Sequence, residues 1–271
     1  MMLAAFLDVN DFKDYNLTTN EVTTAFVLFG IILCFIGIFA KIIFKDDIKK
    51  MSWIISLFNS FILTIIGFIY LFVKTPMYKN FFFFGDNGRN LFHSSDNVAV
   101  LTCIWFGLAN FFDLVFGLLF YAKYLDPLTA YVHHIVYIWL MITSTTGNGF
   151  FIHCEVFCVG FVYVAIEELP TFLLALGSVF PALRTDIGFG ITFFFLRLVY
   201  HSYMLSYSIL SKSDYIVTIL YILTLTLHVF WFTTWMSKYG SKLLGFKEGS
   251  KKAKVIIKTP ATSSTKKVKT K

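Results

Sequence analysis

Apolar segments long enough to cross a lipid bilayer restrict what this chain can fold into. About 20 helical residues span the hydrocarbon core, which is roughly 30 Å thick. Seven runs reach or approach that length, at about residues 23–43, 52–73, 98–121, 128–146, 150–175, 187–210 and 215–237. Of the 271 residues, 57% are hydrophobic and 14% are charged, whereas soluble domains average about 45–50% and about 25%. The sequence therefore predicts an all-α polytopic membrane protein with about seven transmembrane helices.

The fifth run contains Pro170, which follows Glu167 and Glu168 closely. The apolar stretch that follows, 171–180, has only ten residues and is too short to be a span of its own. Because proline removes a backbone donor and bends a helix, we interpret 150–175 as one kinked or broken span.

Basic residues are distributed unevenly and predict an orientation. Lys41, Lys45, Lys49 and Lys50 lie at the end of the first run and in the loop after it, while residues 238–271 carry 11 lysines and one acidic residue, a net charge of +10. Positively charged loops stay in the cytosol, and the six remaining runs give the even number of crossings that two cytosolic points require. We expect a lumenal N-terminus with the first helix at 1–44, a membrane domain at 45–240 and a disordered, basic cytosolic tail at 241–271.

The lysine-rich tail also indicates partners and location. It has no arginine and no interleaved aromatic residues that could stack on bases, so we expect contact with anionic lipid and no binding of nucleic acid. The last five residues place Lys267 and Lys269 in a K-x-K-x-x pattern. That pattern resembles a dilysine retrieval signal, which predicts the endoplasmic reticulum and coat proteins as partners.

Asn16 begins an N-L-T glycosylation sequon on the expected lumenal side. The four cysteines, Cys34, Cys103, Cys154 and Cys158, lie in apolar runs without a C-x-x-C pattern, and we interpret them as core residues. No second ligand cluster accompanies the segment HCEVFC at 153–158, so the sequence predicts no metal site.

Polar side chains inside the spans are the candidate functional residues, because each needs a partner or water within the membrane. At 1.5 Å per residue, five of them lie roughly 8–15 Å from the cytosolic end of their helices. These five are Asn59, Asp113, His133, Arg197 and His228. Asn110 shares a helix face with Asp113 and His201 shares one with Arg197, while Glu168 is a candidate ion-pair partner of Arg197. Each residue alone could be structural, as a helix cap, a counter-charge or an interhelical hydrogen bond. Their shared depth predicts a polar pocket open toward the cytosolic leaflet.

His133 and His134 stand side by side in the apolar segment AYVHHIVYIW. Adjacent helical residues point about 100° apart, so the two rings cannot aim at one point. Neither has a histidine or cysteine four residues further on, which disfavours a metal shared by the pair. We expect one ring to face the pocket and the other to pack against a neighbouring helix.

At these residues the chain resembles the TLC-domain family, which includes ceramide synthases and the translocating-chain-associated membrane protein. The resemblance covers about residues 45–240. It is carried by SWIISLFNS (52–60), NFFDL (110–114), HH (133–134), EELPTFLLALG (167–177), FFFLRLVYH (193–201) and HVFWF (228–232). It implies an endoplasmic-reticulum protein with a six-helix TLC-type barrel preceded by one further helix.

Two departures from the ceramide-synthase pattern affect the function that the resemblance implies. Tyr137 replaces the threonine of H-H-x-x-T, and no D-x-x-D pair follows the histidines. The chain is more similar to the TLC domain-containing group that resembles transmembrane protein 56, which is linked to membrane lipid composition. The leading hypothesis is therefore a lipid-handling protein of membrane lipid homeostasis, with membrane lipids as partners and no cofactor.

Two alternatives stay open. The first is an acyltransferase that uses acyl-CoA as its substrate. His133 or His134 would act as general base or acyl carrier, Asp113 would orient the imidazole, and Arg197 would bind negative charge. The second is a translocon accessory protein.

Overall fold

The computed structural model describes residues 17–74, 97–125, 131–146, 154–210 and 215–243, and within these ranges the regular elements are helices, with no strand. The α-helices are α1 (Thr19–Ile43), α2 (Ile48–Met51), α3 (Ile54–Ile69), α4 (Asn97–Phe120), α5 (His133–Thr146), α6 (Cys154–Val164), α7 (Leu169–Val179), α8 (Asp186–Thr192), α9 (His201–Leu210) and α10 (Tyr215–Leu243). The π-helical segments Tyr70–Lys74 and Phe193–Tyr200 extend α3 and join α8 to α9. Short 3₁₀ turns lie at Ala122–Tyr124, Ala165–Glu168 and Pro181–Leu183.

Within the described residues, five helical stretches are long and apolar enough to cross a membrane. They are Thr19–Ile43, Ile48–Val73, Asn97–Phe120, Cys158–Val179 and Tyr215–Gly240. Each corresponds to one of the predicted runs, which confirms the prediction of an all-helical chain with several candidate spans. The arrangement is compatible with a multi-pass membrane protein.

The two remaining predicted runs are helical but differ from the other five. In the run at 128–146, the described apolar helix covers only His133–Ile142, which is shorter than a bilayer requires. The run at 187–210 is helical throughout, across α8, Phe193–Tyr200 and α9, and it contains Arg197 and His201. Length and hydropathy thus support five spans in the part of the chain that the structure describes, and the prediction of seven spans in a barrel goes beyond them.

The centre of the fold is α4, which packs against α1, α3, α5 and α6. Just over half of its most apolar stretch is buried (56%), whereas α1 and α10 have only 17% of theirs buried and lie at the periphery. The outward side chains of α1 are apolar, and Phe35, Phe39 and Ile42 are each more than 60% exposed. A continuous apolar outer surface of this kind suits hydrocarbon rather than water.

The predicted break near Pro170 is present, but it lies before the proline. The 3₁₀ turn Ala165–Glu168 separates α6 from α7, and Pro170 occupies the first turn of α7. Proline is compatible with that position because the first helical N–H groups have no intrahelical acceptor. The break exposes the backbone of residues 165–168 to neighbouring side chains, and this proves central to the site.

Local side-chain contacts fix the helix ends and the connections between the apolar helices. At the start of α1, Thr18 and Glu21 form a capping box in which each backbone N–H is bound by the other side chain. Asp47 accepts the backbone N–H of Lys50 at 3.1 Å and pairs with its ammonium at 3.0 Å, and these hydrogen bonds lower the pKa of Asp47.

The contact between α3 and the turn Ala165–Glu168 requires a glycine. A Cβ atom at Gly67 would lie 2.8 Å from the carbonyl carbon of Ala165 and closer still to the backbone nitrogen of Ile166. Both are backbone atoms, so neither can move aside as a flexible side chain would. At Gly30 on α1, a Cβ would instead meet only the ring of Phe112 at 3.7 Å, an ordinary contact.

We predict that Gly67→Ala lowers the stability of the purified protein by about 1–3 kcal/mol, because the added methyl overpacks the α3 contact. Gly30→Ala should be neutral or slightly stabilising, since alanine favours a helix over glycine by about 1 kcal/mol. Thermal unfolding in detergent, followed by fluorescence-detected size exclusion, compares the two. Equal melting temperatures for both variants would contradict the close approach.

Candidate functional site

Two adjoining cavities lie among the helices. The apolar cavity, of about 390 Å³, is lined mainly by aliphatic and aromatic side chains of α5, α6 and α10. The polar cavity, of about 540 Å³, lies between α3, α4, α5 and α7 and reaches Lys49 and Trp53 beside the first loop. Both cavities are lined by the same five residues: Phe106, His133, Glu168, Arg197 and Trp231. This shared set is called the junction below.

All nine candidate residues from the sequence line one or both cavities. Asn59, Asn110, Asp113 and His134 line the polar cavity, His201 and His228 line the apolar cavity, and His133, Glu168 and Arg197 belong to the junction. The residues that the sequence places at a similar depth therefore line these two adjoining cavities. What each residue does there remains a prediction.

Arg197 is a buried cation whose hydrogen bonds converge on the break between α6 and α7. Its Nε donates to the backbone carbonyl of Glu167 at 2.9 Å. Its Nη2 donates to Glu168 Oε1 at 3.0 Å and to Thr171 Oγ1 at 2.7 Å. Because the side chain is only 9% exposed, these partners replace the solvation that the guanidinium loses.

A second buried cluster, the Glu167 cluster, consists of Glu167, His201 and His228. His201 Nδ1 lies 2.9 Å from both carboxyl oxygens of Glu167, and His228 Nδ1 lies 3.8 Å from Glu167 Oε2. His201 Nε2 donates to the carbonyl of Tyr221 at 3.0 Å, since a carbonyl can only accept. A proton must therefore lie between His201 Nδ1 and Glu167, either on the imidazole or on the carboxyl group.

Asp113 contacts His134 rather than His133. The Tyr121 hydroxyl donates to Asp113 Oδ1 at 2.6 Å, and Asp113 Oδ2 lies 3.7 Å from His134 Nε2. At that distance the carboxylate orients His134 electrostatically more than by a close hydrogen bond. The opposite nitrogen, His134 Nδ1, is buried and has no hydrogen-bond partner among the described residues.

The two adjacent histidines occupy different places, with ring centres 5.7 Å apart. His133 belongs to the junction, where its ring contacts Tyr137 at 4.6 Å and Trp231 at 6.2 Å between ring centres. His134 lines only the polar cavity. Both rings thus reach a cavity, whereas the sequence led us to expect only one to do so.

The polar cavity also contains an unpartnered acceptor on α3. Asn59 is 9% exposed and lines this cavity, and its Oδ1 has no hydrogen-bond partner in the part of the chain that the structure describes. A buried polar atom without a partner costs roughly 1–3 kcal/mol. Together with His134 Nδ1, it gives the polar cavity two atoms available to a polar group of a ligand or to water.

Four residues that complete these clusters were not among the candidates: Glu167, Tyr121, Thr171 and Tyr221. The sequence pattern could have identified Glu167, because two consecutive acidic residues in an apolar run each need a buried partner. Adjacent helical positions point in different directions, so Glu167 and Glu168 need different partners. Tyr121, Thr171 and Tyr221 had no such signal, since tyrosine and threonine are ordinary in membrane helices.

The predicted glycosylation residue Asn16 and the predicted retrieval lysines Lys267 and Lys269 lie outside the described residues. Comparison of the chain with protein-family models, with curated proteins and with solved structures finds no match. The resemblance to the TLC-domain family therefore remains an expectation from the sequence.

We predict that Arg197→Lys destabilises the purified protein by about 1–3 kcal/mol, because a single ammonium cannot make the three hydrogen bonds of the guanidinium. The matched control is Arg184→Lys. Arg184 is about half exposed and binds Asp186 at 2.9 Å, so its replacement should change stability by less than about 1 kcal/mol. Thermal unfolding in detergent measures both. If Arg184→Lys lowers the stability as much as Arg197→Lys does, the buried hydrogen bonds of Arg197 contribute no more than an exposed ion pair.

Proposed function

We propose that this chain is a multi-pass membrane protein of TLC type that binds a lipid, with an acyl chain in the apolar cavity and the head group at the junction. One observation carries the proposal: an apolar cavity meets a polar one at a buried arginine, a histidine and a glutamate. This arrangement matches the two-part chemistry of a lipid.

The apolar cavity has the size and lining expected for a hydrocarbon ligand. Ligand pockets commonly measure about 300–1,000 Å³ and are mainly hydrophobic with a few polar groups. Eleven of the lining side chains are purely hydrocarbon, among them Val136, Leu140, Phe161, Val164, Leu220 and Leu227. Each methylene buried there contributes about 0.8 kcal/mol to binding.

The proposed role and location extend this assignment. The protein would reside in the endoplasmic reticulum, with seven transmembrane helices, a lumenal N-terminus and a cytosolic C-terminus. Six helices would form the barrel, with α1 outside it. By holding lipid acyl chains, the protein would contribute to membrane lipid homeostasis.

We predict that a photoactivatable fatty-acid probe labels the wild-type protein in membranes and that Leu227→Trp reduces labelling at least several-fold, since the indole would fill the apolar cavity. The control is Ile222→Trp on the same helix. Ile222 is 46% exposed and lines neither cavity, so labelling should persist. Peptide mapping of the adduct adds a positional readout, with label expected on α5, α6 or α10. Equal labelling of both variants, or label confined to α1, would contradict the proposal.

A second function, acyl transfer from acyl-CoA, is favoured by the Asp113–His134 pair. Tyr121 and Asp113 lie on one side of the imidazole, while the opposite nitrogen has no partner. An oriented histidine with one nitrogen available can act as a general base toward an amine or hydroxyl group. Arg197, at the junction, would bind developing negative charge.

We predict for this function that microsomes containing wild-type protein convert labelled acyl-CoA into acylated lipid, and that a His133→Ala and His134→Ala double variant loses this product by at least tenfold. His134→Ala alone should account for most of the loss, because Asp113 contacts His134. Chromatography of the labelled lipids is the measurement. Equal product from wild type and the double variant would remove these histidines from any such reaction.

A further inference from the structure

The Glu167 cluster brings together three ligand-type side chains from separate parts of the chain. Glu167 lies in the turn between α6 and α7, His201 begins α9, and His228 lies within α10. One ligand atom from each lies within 4.8 Å of the others, and all three residues are buried. Two histidines and one carboxylate form a donor set that proteins use for zinc and for non-haem iron.

Both imidazoles are held by backbone carbonyl groups at one nitrogen. His201 Nε2 donates to the carbonyl of Tyr221, and His228 Nδ1 donates to the carbonyl of Arg197, each at 3.0 Å. In their neutral forms, His201 Nδ1 and His228 Nε2 then keep lone pairs. Metal-binding histidines typically show this pattern, in which an outer hydrogen bond fixes the ring and leaves the other nitrogen to the ion.

The local charges favour an added cation. Arg197 pairs with Glu168 at 3.0 Å, so the one nearby guanidinium among the described residues already has a carboxylate as its ion-pair partner. Glu167 receives only a backbone-directed hydrogen bond from Arg197, through its carbonyl oxygen. Its carboxyl group must therefore be neutralised by a proton shared with His201 or by a bound cation, because buried charges are paired or coordinate metals.

We propose that Glu167, His201 and His228 bind one divalent transition-metal ion of the zinc class. For ligands at about 2.0–2.2 Å from the ion, donor atoms lie roughly 3.0–3.5 Å apart. The Glu167–His201 separation of 2.9 Å is already near this range, and a ligand atom of His228 lies within 4.8 Å of both of these donors. The three residues also line the apolar cavity, so a fourth coordination position would open toward it.

This proposal departs from the sequence expectation of no metal site and does not depend on lipid binding. The test uses the full chain, purified in detergent through an affinity tag that contains no histidine. The protein is stripped with a chelator and dialysed against zinc chloride, and bound metal is measured by elemental mass spectrometry. Cobalt chloride provides a second probe, because tetrahedral cobalt absorbs visible light strongly.

We expect about one zinc per chain for wild type, and at least a tenfold loss of bound zinc for His228→Ala and for Glu167→Gln. His134→Ala is the matched histidine control and should keep the ion. If His228→Ala does not fold, His228→Asn replaces it. The melting temperature of the wild type is then also measured, and zinc should raise it by several degrees. Wild type that binds no more zinc than the Glu167→Gln variant would overturn the proposal. That result would leave the cluster as a carboxyl–imidazole pair with a shared proton.

Discussion

The buried guanidinium of Arg197 constrains how the surrounding helices can be arranged. An uncompensated charge at this depth costs several kcal/mol, so the surrounding helices must present acceptors from fixed positions. The turn Ala165–Glu168 does this with one carboxylate and one backbone carbonyl, and α7 adds the Thr171 hydroxyl. The close contact between Gly67 on α3 and the backbone of that same turn fixes its position from the other side. The break between α6 and α7 is thereby held on both sides.

Irregular helix geometry supplies the acceptors that the polar side chains use. In a continuous α-helix, the carbonyl of Glu167 would accept the N–H four residues later. Here the chain has 3₁₀ geometry at Glu167, and this carbonyl accepts the hydrogen bond from Arg197 Nε. The carbonyl of Arg197, in the π-helical segment, is in turn accessible to His228. Backbone carbonyls in these irregular segments thus serve as the fixed partners of Arg197 and His228.

Much of this arrangement is predictable from the sequence, and the remainder has definite physical reasons. Long apolar runs predict the five candidate spans because length and hydropathy are local properties. The free-energy cost of burying a polar side chain identifies Asp113, Arg197 and His228 as residues that need partners, but it does not identify those partners. The Asp113–His134 contact depends on the rotation of two helices about their axes, which no local pattern encodes. Glu167 was overlooked as a site residue because its neighbour Glu168 offered the same chemistry.

The length of the π-helical segment Phe193–Tyr200 makes the site sensitive to insertions and deletions. A π turn contains more residues than an α turn, since its hydrogen bonds close over five residues instead of four. Removing one residue from 193–200 would restore α-helical spacing and rotate everything that follows by about 100°. His201 would then turn away from Glu167, although no residue of either cluster had been changed. The length of this segment is therefore as much a determinant of the site as the identity of its polar side chains.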